Sequence, residues 1–191
     1  GDVFLDISVK EEACPLGLAP TASTTATLAM GDALAVALLL KRGFKAEDFA
    51  LFHPGGALGK KLILRVEDLM HSGADMPLVA SNALMRDALF TITAKGLGIT
   101  GVTDAHGAMI GVITDGDLRR ALEKGIDILN SSAGELMTAR GKRINRLELA
   151  ARALQQMEQF SITSLFVFAD DEAMSPVGII HLHDLLKAGI A

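Results

Sequence analysis

Apolar and polar positions along this chain fall into blocks whose periods change from two to about three and a half. Residues 2–9, DVFLDISV, are apolar and β-branched and stop at a charged KEE, the pattern of a buried strand. A proline- and glycine-bearing loop, ACPLGLAPTAS, follows at 13–23. STTATLAMGDALAVALLLKRG, 23–43, predicts a helix that Ser23 or Thr24 can cap and Gly43 can end. It is apolar almost all round, so it is expected in a core or at an interface, where Asp32 needs a partner or a polar cavity. KAEDFALFH, 45–53, opens a second helix that Pro54-Gly55-Gly56 breaks, and GALGKKLILR resumes beyond it.

From Val66 onward the chain repeats itself. VEDLM at 66–70 returns as AGELM at 133–137, and GVITDGDLRRAL at 111–122 returns as VGIIHLHDLLKAG at 177–189. Met70 and Met137 stand 67 positions apart, as do Gly111 and Gly178, and Asp117 and Asp184. Each copy predicts a short helix ending in Leu-Met, a loop and an amphipathic helix such as ELAARALQQMEQF at 148–160. Two strands follow (ITGVTD and MIGVIT, or ITSLFVFAD and PVGIIH), and then a final helix. One such unit buries little apolar area, so two are expected to share a core.

Composition narrows the function. The 191 residues carry a net charge of −5, with no Tyr or Trp and no basic face, which excludes a nucleic-acid binder but not a nucleotide ligand. Cys14 is the only cysteine, so no intrachain disulfide forms, a reducing cytoplasmic setting is expected, and the thiol reads as a small buried hydrophobe. The longest unbroken apolar run, ALAVALLL at 33–40, falls short of the roughly 20 residues a bilayer needs, so no membrane association is expected. A chain that opens with Gly1 and runs directly into a core strand reads as a piece of a longer protein.

The helix–strand–strand–helix units with GVITDGDL at the strand-to-helix step resemble the CBS domain, and two in tandem resemble a CBS pair. The resemblance implies a regulatory module for adenine nucleotides or a sugar nucleotide, with Thr114 on phosphate and Asp117 and Asp184 on ribose hydroxyls. Helix capping accounts for the same residue types without any ligand. His181 replaces the threonine in the second copy, which puts that cleft's ligand in doubt. His181 and His183 read as one face of a strand and lack a third metal ligand.

The stretches APTASTTATLAMGDALA and HPGGALG resemble the C-terminal end of a sugar isomerase (SIS) domain, and with the CBS pair the chain is similar to the KpsF/GutQ family of arabinose-5-phosphate isomerases. The implied fold class is α/β: a partial SIS segment, doubly wound, at 1–64, then an α+β tandem CBS pair at 65–128 and 132–191. The implied reaction interconverts ribulose 5-phosphate and arabinose 5-phosphate for Kdo and lipopolysaccharide or capsule synthesis, needs no cofactor and no metal, and runs in a tetramer. His53 and Glu12 would be active-site residues and Ser23, Thr24 and Thr25 would bind the sugar phosphate. An imidazole near its ordinary pKa of about 6.5 suits proton transfer between C1 and C2. Packing in the Pro54 turn is the competing account of His53, and a solvated loop charge that of Glu12. The remaining catalytic lysine, glutamate and phosphate loop would lie upstream, so this chain alone is expected to be inactive. GGALGKK is not a P-loop, because Pro54 and Lys61 occupy positions that require Gly and Ser/Thr.

Overall fold

The computed structural model describes residues 2–45, 48–49, 52 and 56–190. It divides into two compact units, residues 1–49 and 50–191.

In the first unit residues 2–9 do not form the predicted strand; Val3 and Phe4 are exposed. A strand needs a neighbour for its N–H and C=O groups, and among the described residues of this unit none pairs with it. The helix appears as α1 (Ala22–Arg42). Gly43 ends it in the left-handed region at φ 62°, and the N–H groups of Gly43 and Phe44 return to the carbonyls of Leu40 and Leu39. Of the two places expected for it, a core or an interface, the core is set aside, since none of its residues is buried and Asp32 is exposed. Among the described helices, α1 alone is long and apolar enough to cross a membrane. Asp32 at its midpoint opposes that, because a carboxylate at the bilayer centre costs about 3 kcal/mol. Cys14 is half-buried rather than buried.

The second unit opens with α2 (Ala57–Ile63) and continues as two matching lobes. In the first lobe β1 (Leu78–Ala80) runs parallel to β2 (Ile99–Thr103). The latter pairs antiparallel with β3 (Met109–Thr114), and β3 pairs antiparallel with β4 (Thr138–Ala139). The helices α3 (Met85–Lys95) and α4 (Asp115–Glu123) cover this sheet together with the short α5 (Ala133–Leu136). In the second lobe β5 (Arg143–Asn145), β6 (Ser164–Phe168) and β7 (Pro176–His181) repeat the pattern, with α6 (Ala150–Phe160) and α7 (Leu182–Ala188) as cover. Both central hairpins carry a register shift at one place, between Val102 and Thr103 and between Val167 and Phe168. The short strands β1 and β5 lie in stretches that the sequence pattern assigns to loops.

Side-chain alternation explains why the strands read as apolar throughout. Leu165, Val167 and Ile180 face α6 and α7, while Phe166, Phe168 and Ile179 face the other lobe, where they meet Ile99 and Val112. Each sheet is therefore buried on both faces, helices outside and sheet against sheet inside.

The two lobes exchange their opening segments. Val66, from the start of the first repeat, is buried in the second lobe's core with Ile144, Ala150 and Leu185, and its N–H donates to the Glu148 carbonyl. Ala133, Leu136 and Met137, from the start of the second repeat, pack with Met85, Ala88 and Ile113 of the first. Gly111 and Gly178 mark the two crossings. A Cβ on Gly111 would stand 2.5 Å from Met137 Sδ and 2.9 Å from the Thr138 carbonyl oxygen. On Gly178 it would meet Met70 Sδ and the His71 carbonyl oxygen at the same distances.

Candidate functional site

Thr114 ends β3 and caps α4. Its N–H and hydroxyl both donate to Asp117 Oδ2, at 2.8 and 2.6 Å. The other oxygen, Oδ1, receives Arg120 Nη2 at 2.6 Å and the Thr138 hydroxyl at 2.5 Å. Burial alone would raise the Asp117 pKa. The Thr114 and Thr138 hydroxyls, the Thr114 N–H and the Arg120 guanidinium outweigh it and hold the carboxyl below its ordinary range. Asp117 stays ionised at neutral pH although it is 7% exposed.

These residues line a cleft of about 460 Å³ between the repeats, within the size range of small-molecule sites. Ile99, Val112 and Ile162 supply apolar wall, Gly116 and Gly141 open backbone, and Arg120, Arg140 and Lys142 positive charge. The Lys142 ammonium rests 3.9 Å from the centre of the Phe160 ring. Such a cleft offers an apolar slot for a flat ring, a carboxylate for hydroxyls and cations for an anion. Of its residues the sequence pattern singled out Thr114 and Asp117. Arg120, Thr138, Arg140 and Lys142 were missed, and the signal for Thr138 was its place directly after the repeated Leu-Met.

The equivalent place in the other half has different chemistry. His181 caps α7, its Nδ1 accepting the His183 N–H at 3.1 Å, so His183 is a helix residue and not a second residue on the strand face. Asp184 meets His71 Nε2 at 2.8 Å, with His71 standing where Thr138 stands in the first half. The His181 and His183 rings meet edge to face with centroids 4.8 Å apart. Burial, with repulsion from His183, lowers the His181 pKa, and Asp184 opposes the shift. Among the described residues no group of three or more His, Cys, Asp or Glu side chains is arranged to hold a metal ion.

In the first unit Glu12 Oε2 accepts the Thr21 N–H at 2.7 Å, the Thr21 hydroxyl at 3.0 Å and the Ser23 N–H at 3.3 Å, which places Glu12 at the start of α1. The Ser23 hydroxyl and the Thr21 N–H lower its pKa to about 2. Glu12 and Ser23 are thus brought together. The hydroxyls of Thr24 and Thr25 return to the Thr21 carbonyl. His53 lies outside the described residues.

The CBS domain family model matches residues 66–124 and 133–191. Over 189 residues, 99% of its length, the chain is 53% identical to proteins named arabinose 5-phosphate isomerase KdsD from Yersinia pestis, Pseudomonas aeruginosa and Escherichia coli. It spans 57% of the length of each. Among solved structures it is similar to the CBS domain pair of protein MJ0100 in complex with 5′-methylthioadenosine and S-adenosyl-L-methionine. There the TM-score is 0.57 at 22% identity, covering 65% of this chain and 94% of that one. It is also similar to the CBS domain protein PAE2072 from Pyrobaculum aerophilum complexed with AMP, with TM-score 0.56 at 17% identity, covering 67% and 100%. At these identities the two structures bear on the fold alone.

Proposed function

Since the chain belongs to the CBS domain family, we propose that its tandem CBS pair is a regulatory module whose cleft at Thr114 and Asp117 takes an adenine nucleotide or a sugar nucleotide. The observation that carries this reading is the ionised, buried Asp117 set beside Thr114 in a cleft that also holds Arg120, Arg140 and Lys142. Asp117 takes ribose hydroxyls and the cations take phosphate, with Thr114 holding the Asp117 carboxylate in place. Adenine-type ligands in structurally similar CBS proteins support the choice. The Asp184 cleft, with histidines in place of the threonines, does not hold a nucleotide.

The whole protein is an arabinose 5-phosphate isomerase that the CBS pair regulates. Similarity to the isomerases along nearly the whole chain supports this, and so does the joining of the residue 1–64 segment to a CBS pair. His53 carries the proton between C1 and C2, Glu12 and Ser23 hold the start of α1 at the sugar-phosphate site, and Thr24 and Thr25 complete it. The chain spans 57% of the length of those isomerases, and by itself it does not isomerise. The enzyme is a soluble, cytoplasmic tetramer, and its product feeds Kdo synthesis.

Assembly is the second reading of the CBS pair. Phe90 on α3 and Leu122 on α4 are 75% and 67% exposed on the outer helices. Calorimetric titration of the chain with AMP, ATP and CMP-Kdo separates the two. Binding by one of them supports regulation; no heat from any of them, beside a stable oligomer, supports assembly.

A further inference from the structure

Resting on the nucleotide reading of the Asp117 cleft, we infer that Arg120 makes this cleft phosphate-dependent: it accepts a nucleoside monophosphate and rejects the corresponding nucleoside. A carboxylate offers about four acceptor positions. All four on Asp117 are taken, by the N–H and hydroxyl of Thr114, the hydroxyl of Thr138 and the guanidinium of Arg120. The Asp117 side chain is 6% exposed, so solvent offers no spare position. A ribose diol can reach Asp117 only if one of these donors leaves.

Arg120 is the donor that can leave. The Thr114 N–H is backbone at the helix cap, and a threonine O–H that turns away leaves its oxygen in place against Asp117, where it still keeps a diol out. Arg120 is long, stands one helical turn from Asp117 and has a side chain 60% exposed. Arg120 already lines the cleft. Once displaced by the diol it needs an anion, and a phosphate in the same cleft supplies one in a bidentate geometry that suits arginine. Arg140 and Lys142 line the same cleft, and among the described residues no carboxylate lies within ion-pair distance of either. A nucleoside displaces Arg120 and gives it no anion. A nucleotide exchanges one ion pair for another and gains the diol contact.

The test is calorimetric titration of the full-length protein with AMP and with adenosine, for the wild type and for the variants Arg120→Ala and Arg120→Gln. The wild type is expected to prefer AMP by at least about tenfold, the scale of one charge-assisted hydrogen bond. In both variants AMP weakens, adenosine tightens because Asp117 is freed, and the ratio falls to within about threefold of unity. A ratio that stays at its wild-type value in both variants overturns the role of Arg120 while leaving the nucleotide reading in place. Absence of binding by AMP and adenosine alike overturns both.

Discussion

Thr138 donates its hydroxyl to Asp117 at 2.5 Å, from the start of the second repeat to the helix cap of the first. His71 stands 2.8 Å from Asp184 in the mirrored place. Each helix cap thus carries a side chain from the segment that crosses between lobes. Thr138→Val keeps the shape and removes one donor from a carboxylate that retains three. It is expected to destabilise the second unit by about 1 kcal/mol in chemical denaturation, without changing the sheet content.

Gly101 leaves room for side chains of both sheets. A Cβ there would stand 2.7 Å from Leu78 Cδ2 and 2.9 Å from Phe166 Cζ, on the face that meets the other lobe. Gly101→Ala is expected to lower stability by roughly 1–3 kcal/mol, as overpacking does. The double variant Gly101→Ala with Phe166→Leu recovers part of the loss. Denaturation midpoints that do not move on the single substitution would contradict the face-to-face packing.

Ser161 ends α6 at φ 53°, where the matching helix α3 ends at Gly96 with φ 66°. The serine pays a steric penalty that glycine avoids. Ser161→Gly is expected to raise stability by about 0.5–1 kcal/mol, read as a higher midpoint in urea.

Glu12 gives a pH dependence of definite sign. Its folded pKa, about 2, lies below the ordinary 4.5, so the folded state binds fewer protons and the stabilisation is present above about 4.5. It is lost as pH falls from 4.5 toward 2. A carboxyl chemical-shift titration that places the Glu12 midpoint near 4.5 would contradict the helix-cap geometry. His181 acts in the same direction at higher pH. Its folded pKa is lowered from 6.5 by burial and by His183, with smaller effects of the same sign from His71 and Lys187, against Asp184. Stability therefore falls as pH drops from 6.5 through that lowered value, and His181→Gln removes this part of the acid dependence.

Much of this was legible in the sequence because it was written twice. The spacing shared by Met70 and Met137 and by Asp117 and Asp184 gave two equivalent lobes, and MIGVIT and PVGIIH became β3 and β7 at the expected residues. The crossing of the opening segments was not legible, because the repeat aligns Val66 with Ala133 but does not say into which lobe either one packs. The four donors on Asp117 were half legible. Thr114 is local to the cap, whereas Thr138 arrives from 21 residues away and only the register of β3 with β4 brings it there. The segment 2–9 has the composition of a strand, yet composition does not supply a pairing partner. The apolar surround of α1 is legible, whereas the choice between core and interface is not, since burial depends on what packs against the helix.

The most direct measurement is calorimetric titration of the chain with AMP, comparing the wild type with Asp117→Asn and Asp184→Asn, each confirmed folded by circular dichroism. The account predicts one AMP per chain in the wild type, loss of binding in Asp117→Asn and wild-type affinity in Asp184→Asn. Two AMP per chain, or undiminished binding in Asp117→Asn, would contradict it.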